Sequence, residues 1–61
     1  MNIYTVQAKN KVCRGGVYKI ITLNIVSETM PEAVELSIPE FDIRFPDCHW
    51  FIVKCEFVRV L

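Results

Sequence analysis

This sequence has few of the features that direct a chain to export or to a membrane, such as paired cysteines, a signal peptide or a long apolar run. It contains an odd number of cysteines at irregular spacing: Cys13, Cys48 and Cys55. Disulfide-stabilised secreted domains instead have an even cysteine framework. The residues after Met1 lack the basic start and apolar run of a signal peptide, and the longest nearly apolar runs, 20–26 and 50–53, are far shorter than a membrane span. We therefore expect a cytoplasmic protein that is not anchored in a membrane.

Linkers, repeats and low-complexity segments are also absent. Only two glycines and three prolines occur among the 61 residues, so residues 1–61 are expected to fold as one small domain. A domain of this size buries only about 60% of the surface of its unfolded chain. Because hydrophobic residues make up 52% of the composition, an apolar core is the expected source of stability.

Hydrophobic periodicity predicts three long strands. Alternation of apolar and polar residues at period two is clearest in residues 17–27. The segments 2–8 and 49–60 have the same character. Gly15 and Gly16 lie between the first two segments and predict the tight turn of an antiparallel hairpin.

A short helix is predicted between the second and the last strand. Thr29 and Glu32 form a capping-box pattern, in which the Thr29 hydroxyl accepts a hydrogen bond from the Glu32 amide and the Glu32 carboxylate accepts one from the Thr29 amide. Pro39 is expected to end the helix after about two turns, because the residue before a proline is driven out of the helical region. Residues 41–45 alternate at period two and predict a short edge strand. The predicted fold is α+β, an antiparallel sheet of three or four strands with one short helix on one face, ββαβ or ββαββ.

The segment FPDCHW, residues 45–50, places a thiol beside an imidazole and raises the question of a metal or catalytic site. Zinc sites usually take their ligands in close pairs such as C-x2-C, whereas Cys48 and His49 are adjacent and would point to opposite sides of a strand. A Cys-His nucleophile also needs an orienting third group and an oxyanion hole. We therefore interpret the segment as a turn into a strand, and the sequence predicts no enzyme, no catalytic residue, no metal site and no cofactor.

The net charge of zero conceals a separation of charge along the chain. Residues 1–20 carry only cations: Lys9, Lys11, Arg14 and Lys19. Such a basic hairpin could contact phosphates, but a pI near 6.5 is unlike that of nucleic-acid-binding domains, so nucleic-acid binding is the less favoured alternative. The charged residues within 21–47 are mostly acidic. Among them, Glu32 and Glu35 could meet a basic surface on a protein partner or form a solvated helix face.

The two faces of the predicted sheet differ in what can cover them. The helix is expected to cover one face, formed by Ile21, Leu23, Ile25, Phe51, Val53 and Phe57. The other face is expected to expose Tyr18, Ile20, Val26, Trp50, Ile52 and Val58, with Tyr4 and Val6 available from the first strand. Each large apolar side chain left in water forgoes about 1.5–3 kcal/mol of burial, and an apolar patch of this extent usually marks an interface. The alternative is that polar residues break up the patch: Thr22, Asn24, Lys54 and Glu56.

Two segments, 27–36 (SETMPEAVEL) and 49–57 (HWFIVKCEF), resemble the strand, helix and strand of very small α+β proteins carried by bacteriophages and other mobile elements. Some of those proteins bind and block a host protein, anti-CRISPR inhibitors among them. The resemblance implies a stand-alone inhibitor or regulator in the cytoplasm of a host cell, acting on a protein such as a component of a defence system. It assigns no functional residue.

The leading hypothesis is therefore a non-enzymatic protein-binding module. The residues expected to bind the partner are Tyr18, Ile20, Trp50, Ile52, Val58, Glu32 and Glu35. A homodimeric structural or assembly protein that uses the same face is the closest alternative, and the two can coexist.

Overall fold

The first strand lies at the centre of the sheet. The computed structural model describes residues 1–11, 18–46 and 49–61. Along these residues the elements are β1 (Asn2–Lys11), β2 (Tyr18–Ser27), α1 (Met30–Arg44) and β3 (His49–Val60). The strands form an antiparallel sheet in the order β2-β1-β3, and the α+β class is confirmed in its ββαβ form. The predicted Gly15-Gly16 turn lies outside the described residues.

Alternation along β1 gives this strand one buried face. Its side chains at even positions from Tyr4 to Asn10 are all buried on the side of the sheet that faces α1. Both backbone edges of β1 are also paired, since β2 and β3 each pair with its full length. Beyond the last pair, the Leu61 amide donates a hydrogen bond of 2.9 Å to the Met1 carbonyl. The two ends of the chain therefore meet at one rim of the sheet.

The Thr29 side chain caps the start of α1, which is one half of the predicted capping box. The Glu32 amide donates to the Thr29 hydroxyl at 3.3 Å, and the Ala33 amide donates to the Thr29 carbonyl at 3.0 Å. Pro31 lies in the first turn, where its missing N–H would have no partner within the helix. The buried Ser27 hydroxyl donates to the same Thr29 carbonyl at 2.6 Å, which joins the end of β2 to the helix cap.

The predicted end of the helix at Pro39 is wrong. α1 continues through Pro39 for 15 residues in all and ends at Arg44, so the predicted short strand over residues 41–45 is also wrong. A proline inside a helix removes one backbone hydrogen bond and costs about 3 kcal/mol. The cost is offset because the continued helix brings Phe41 into the core, where it is fully buried. The Phe45 amide donates to the Phe41 carbonyl at 2.9 Å and closes the last turn.

The core lies between the sheet and α1. Its buried apolar residues come from β1, β2 and α1: Tyr4, Val6, Ala8, Leu23, Ile25, Ala33 and Phe41. Around them pack half-buried residues, most of them from β3: Ile21, Phe45, Trp50, Ile52 and Cys55. The Phe41 and Trp50 rings lie 4.8 Å apart between centroids at an interplanar angle of 40°. This contact anchors the second half of the helix to the start of β3.

Buried polar side chains flank the core. The Ser37 hydroxyl donates to the Val34 carbonyl at 2.6 Å, so a polar group on the inner side of α1 is satisfied within the helix itself. Asn10, on the other hand, is only 2% exposed, and its Oδ1 has no hydrogen-bond partner among the described residues.

β3 departs from simple alternation at two bulges. Ile52 lies opposite Ala8 and Lys54 lies opposite Gln7, so Val53 is an extra residue in β3. Val58 is a second extra residue, since Phe57 lies opposite Tyr4 and Arg59 opposite Ile3. An extra residue lets two successive side chains lie on the same side of a strand. The helix side of β3 therefore contains Trp50, Ile52, Cys55 and Phe57.

Truncation of Phe41 tests its role as the anchor of α1. We expect Phe41→Ala to lower the free energy of unfolding by about 3–5 kcal/mol through lost burial and a cavity, as measured by urea denaturation. Ile43→Ala is the control, because Ile43 is 75% exposed and should change stability by no more than about 0.5 kcal/mol. If Phe41→Ala does not fold, Phe41→Leu should give a smaller loss. Equal effects at positions 41 and 43 would contradict this account.

Replacement of Pro39 should stabilise the protein. Pro39→Ala supplies an N–H that can donate to the Glu35 carbonyl, and we expect a gain of about 1–3 kcal/mol after allowing for the more flexible unfolded chain. Pro31→Ala is the matched control, because an N–H in the first turn has no partner within the helix, and its effect should be small. Thermal and urea unfolding measure both variants, and equal shifts at the two prolines would count against the explanation.

Candidate partner-binding surface

The face of the sheet opposite α1 is here called the open face. No other helix occurs in the part of the chain that the structure describes, and α1 packs on the opposite side. Register with β1 assigns most side chains of the open face: Ile3, Thr5, Gln7, Lys9, Ile20, Thr22, Asn24, Val26, Phe51, Lys54, Glu56 and Arg59. Val53 and Val58, the extra residues of the two bulges, are exposed beside them. All are half-buried or exposed.

Two apolar rows cross the open face near its ends. In the first row Ile20 and Phe51 flank Lys9, with exposed fractions of 67% and 55%. Val53 adjoins this row from the first bulge of β3 and is 58% exposed. In the second row Val26 and Arg59 flank Ile3, and Val58 adjoins the row from the second bulge of β3. Each row therefore presents apolar side chains to solvent around one charged residue, Lys9 in the first row and Arg59 in the second.

A polar band separates the two apolar rows. Its side chains are Thr5, Gln7, Thr22, Asn24, Lys54 and Glu56. Lys54 Nζ and Glu56 Oε1 form an ion pair at 2.8 Å, and both side chains are more than half exposed. An exposed pair of this kind adds little to stability. The open face is therefore not one continuous apolar patch, and the four polar residues expected to interrupt it all lie on it.

The predicted assignment of Trp50 and Ile52 to the uncovered face is wrong. Both side chains pack against the core, and Trp50 contacts Phe41. Phe51 and Val53, which were expected beneath the helix, are exposed on the open face instead. The segment 50–53 is apolar at every position, so alternation alone cannot choose which parity faces inward; the contact with Phe41 makes that choice.

Tyr4 and Val6 are also placed differently from the sequence prediction. They were expected to add to the uncovered face, but both are buried on the helix side. The Tyr4 ring meets Phe57 edge to face, with centroids 5.8 Å apart and an interplanar angle of 70°. Phe57 was expected on the helix side and lies there, although it remains about half exposed.

The remaining predicted binding residues do not form one site. Ile20 and Val58 are exposed on the open face, as expected. Glu32 and Glu35 are exposed on α1, which lies on the other side of the sheet. Tyr18 of β2 pairs with Lys11 of β1. The side chain of Tyr18 lies outside the described part of the chain.

A groove runs between β2 and the second half of α1. It has a volume of about 560 Å³. Its lining residues are Thr22, Leu23, Asn24, Ile25, Val26, Leu36, Glu40 and Arg44. Sequence reasoning missed this groove, because Leu36, Glu40 and Arg44 come together beside β2 only when the helix continues past Pro39.

The chemistry-bearing residues of the FPDCHW segment are only partly described. His49 begins β3 and is exposed, whereas Cys48 and Cys13 lie outside the described residues. Across residues 1–11, 18–46 and 49–61 there is no cluster of three His, Cys, Asp or Glu side chains that could hold a metal ion. Cys55 lies opposite Val6 at the edge of the core, and burial raises the pKa of its thiol.

The predicted basic cluster lies partly outside the described residues. Lys9 and Lys19 are exposed on neighbouring strands, whereas Arg14 and the side chain of Lys11 lie outside the described residues. Within the described part of the chain, no helix has the length and apolar character needed to cross a membrane.

No protein-family model, curated protein or solved structure matches the chain. The functional interpretation therefore depends on the residues and surfaces described above.

The raised pKa of Cys55 predicts slow thiol chemistry. The reactive thiolate is scarcer in the folded protein near neutral pH, so alkylation of Cys55 by iodoacetamide should be slower than in the urea-denatured chain, with its pH midpoint displaced upwards. Because the unfolded thiol ionises first as the pH rises, this group should also lower folding stability above the ordinary thiol pKa. Peptide mass spectrometry resolves Cys55 from the other cysteines. The same midpoint in the folded and denatured chains would contradict the prediction.

Proposed function

We propose that this chain is a non-enzymatic protein-binding module and that the open face is its docking surface. The observation that carries the proposal is the exposure of Ile20, Phe51 and Val53 together on a face that α1 does not cover. Burial of one such side chain is worth about 1.5–3 kcal/mol. In a 61-residue domain, leaving them in water sacrifices a substantial part of the total stability.

The layout of the open face suits a protein partner. Hot spots of protein interfaces are commonly aromatic or large side chains enclosed by contacts that exclude water, and among the described side chains of the open face Phe51 is the exposed aromatic one. The polar band supplies amide, hydroxyl and charged groups that can fix the orientation of the partner. An exposed sheet face of this kind fits a folded protein better than a small molecule, which needs an enclosed pocket.

The resemblance of segments 27–36 and 49–57 to small phage-borne proteins favours an inhibitor or regulator that acts in the cytoplasm. Such a module acts by occupying a surface of its target, and it requires no catalytic group of its own. Its affinity depends on how completely the apolar rows are enclosed by the partner.

The proposal is tested by affinity capture from the lysate of the cells that make the protein, followed by a direct binding measurement with each captured protein. We expect the double variant Phe51→Ser/Val53→Ser to weaken binding at least about tenfold, since truncation of one hot-spot residue can cost 2 kcal/mol or more. Circular dichroism establishes that the variant keeps its fold.

Ile43→Ser is the matched control for surface apolarity. Ile43 is the more exposed side chain, at 75% against 55% for Phe51, but it lies at the end of α1 and away from the open face. The Ile43→Ser variant should bind the partner as tightly as the wild-type protein does. A partner that binds the double variant and the wild-type protein equally well would overturn the assignment of the open face.

A further inference from the structure

The two edges of the sheet differ in how they are protected. Proteins guard exposed strand edges against pairing with bulges, charged side chains and prolines. β3 has two bulges and carries three charges from its middle onward: Lys54, Glu56 and Arg59. β2 has ten residues in unbroken register with β1, contains no proline and has Lys19 as its one charged residue. Among the described strands, β2 is therefore the edge that is open to pairing.

Space for another strand is present beside β2 on the helix side. The groove between β2 and α1 has a volume of about 560 Å³ and reaches Leu36 on the helix, whose side chain is 45% exposed. Glu40 and Arg44 also line it, and their exposed side chains approach to 4.0 Å. An added strand can therefore place apolar side chains against Leu36 without displacing α1.

The sequence of β2 is a palindrome in side-chain character about Leu23. Thr22 and Asn24 flank Leu23 as small polar residues. The next positions outward on both sides are aliphatic: Ile20, Ile21, Ile25 and Val26. An antiparallel strand with this symmetry matches a second copy of itself, because each residue meets one of its own kind on the same face of the sheet.

We infer that β2 pairs antiparallel with β2 of a second copy of the chain, about a two-fold axis at Leu23. The pairs on the helix side are Leu23 with Leu23 and Ile21 with Ile25 of the second copy. On the open face Thr22 meets Asn24 and Ile20 meets Val26. Lys19 comes opposite Ser27, so the pairing brings no two like charges together. The product is a continuous six-stranded sheet with two helices on one side.

A second copy explains features that another extended peptide leaves unexplained. A two-fold contact requires a surface that is complementary to itself, and the palindrome of β2 provides it. The net charge of zero removes long-range repulsion between copies. The inference uses the backbone edge of β2 as its contact, and Ile20 and Val26 of the apolar rows take part only as a cross-strand pair beside that edge. It requires no partner protein, so it can hold whether or not the proposed function does.

The test is the mass of the protein in solution over a concentration series from micromolar to millimolar. Light scattering of the wild-type protein should reach twice the chain mass of 7.1 kDa. The double variant Thr22→Lys/Asn24→Lys places like charges opposite each other at two cross-strand pairs, so its dimer dissociation constant should rise at least about tenfold. Both substituted positions are exposed in the single chain.

An acidic counterpart tests the register of the pairing. Thr22→Glu/Asn24→Glu should also be weakened, whereas an equimolar mixture of the basic and acidic variants should form a dimer that contains one copy of each. This recovery requires positions 22 and 24 of the two copies to lie opposite each other. Failure of the mixture to dimerise, with both variants folded by circular dichroism, would overturn the proposed register.

The control variant is Thr5→Lys/Gln7→Lys, which adds the same charges one strand further inward. Thr5 pairs with Asn24 and Gln7 pairs with Thr22, so the charges lie on the open face but not at the edge of the sheet. This variant should still dimerise. Its dissociation would indicate two open faces stacked together and would overturn edge pairing, as would a wild-type protein that is monomeric at every concentration.

Amide hydrogen exchange of the wild-type protein provides a second measurement that needs no variant. In the dimer the outward N–H groups of β2, at alternate residues, are hydrogen-bonded to the second copy. Their exchange should therefore slow as the protein concentration rises, whereas the amides of β3 should not change. Exchange of β2 that is independent of concentration would contradict the inference.

Discussion

The contact between Phe41 and Trp50 joins the two irregular elements of this fold. It holds the part of α1 beyond Pro39 against the sheet, and it turns Trp50 toward the core at the start of β3. Once Trp50 points inward, Phe51 must point outward. The bulge at Val53 then brings Cys55 rather than Lys54 to the core side. The composition of the open face is thus set by packing on the opposite side of the sheet.

The features predicted correctly are those that depend on neighbouring residues in the sequence, namely the helix cap and the strands. The hydroxyl of Thr29 caps α1, and β2 and β3 begin and end within one residue of the predicted positions. The continuation past Pro39 could not be read from the sequence, because burial of Phe41 outweighs a backbone preference at another residue. The bulges of β3 were hidden because the apolar run 50–53 fits either parity. Because the wrong parity was chosen for this run, Trp50 and Ile52 were predicted on the open face instead of the helix side.

The same distinction decides which residues of the candidate surfaces the sequence predicted. Positions set by regular alternation were predicted, whereas positions set by packing between distant residues were missed. Ile20 was found because the regular alternation of β2 places it outward, and Val58 is exposed because it is the extra residue of the second bulge. Phe51 and Val53 were missed for the reason given above. The groove beside β2 exists only because the longer helix brings Leu36 and Arg44 alongside that strand. The palindrome of β2 can be recognised in the sequence alone. It favours pairing with a second copy only because β2 lies at an edge of the sheet that has neither a bulge nor a proline.

The hydrogen bond between the Leu61 amide and the Met1 carbonyl has a practical consequence for handling the protein. Tags fused to either end would emerge together at the rim that holds the second apolar row, Ile3 and Val26 with Val58 beside them, where their bulk could shield a ligand from that row. A circularly permuted chain, with these ends joined by a short linker and new ends opened elsewhere, would keep every strand pair and leave this rim unobstructed.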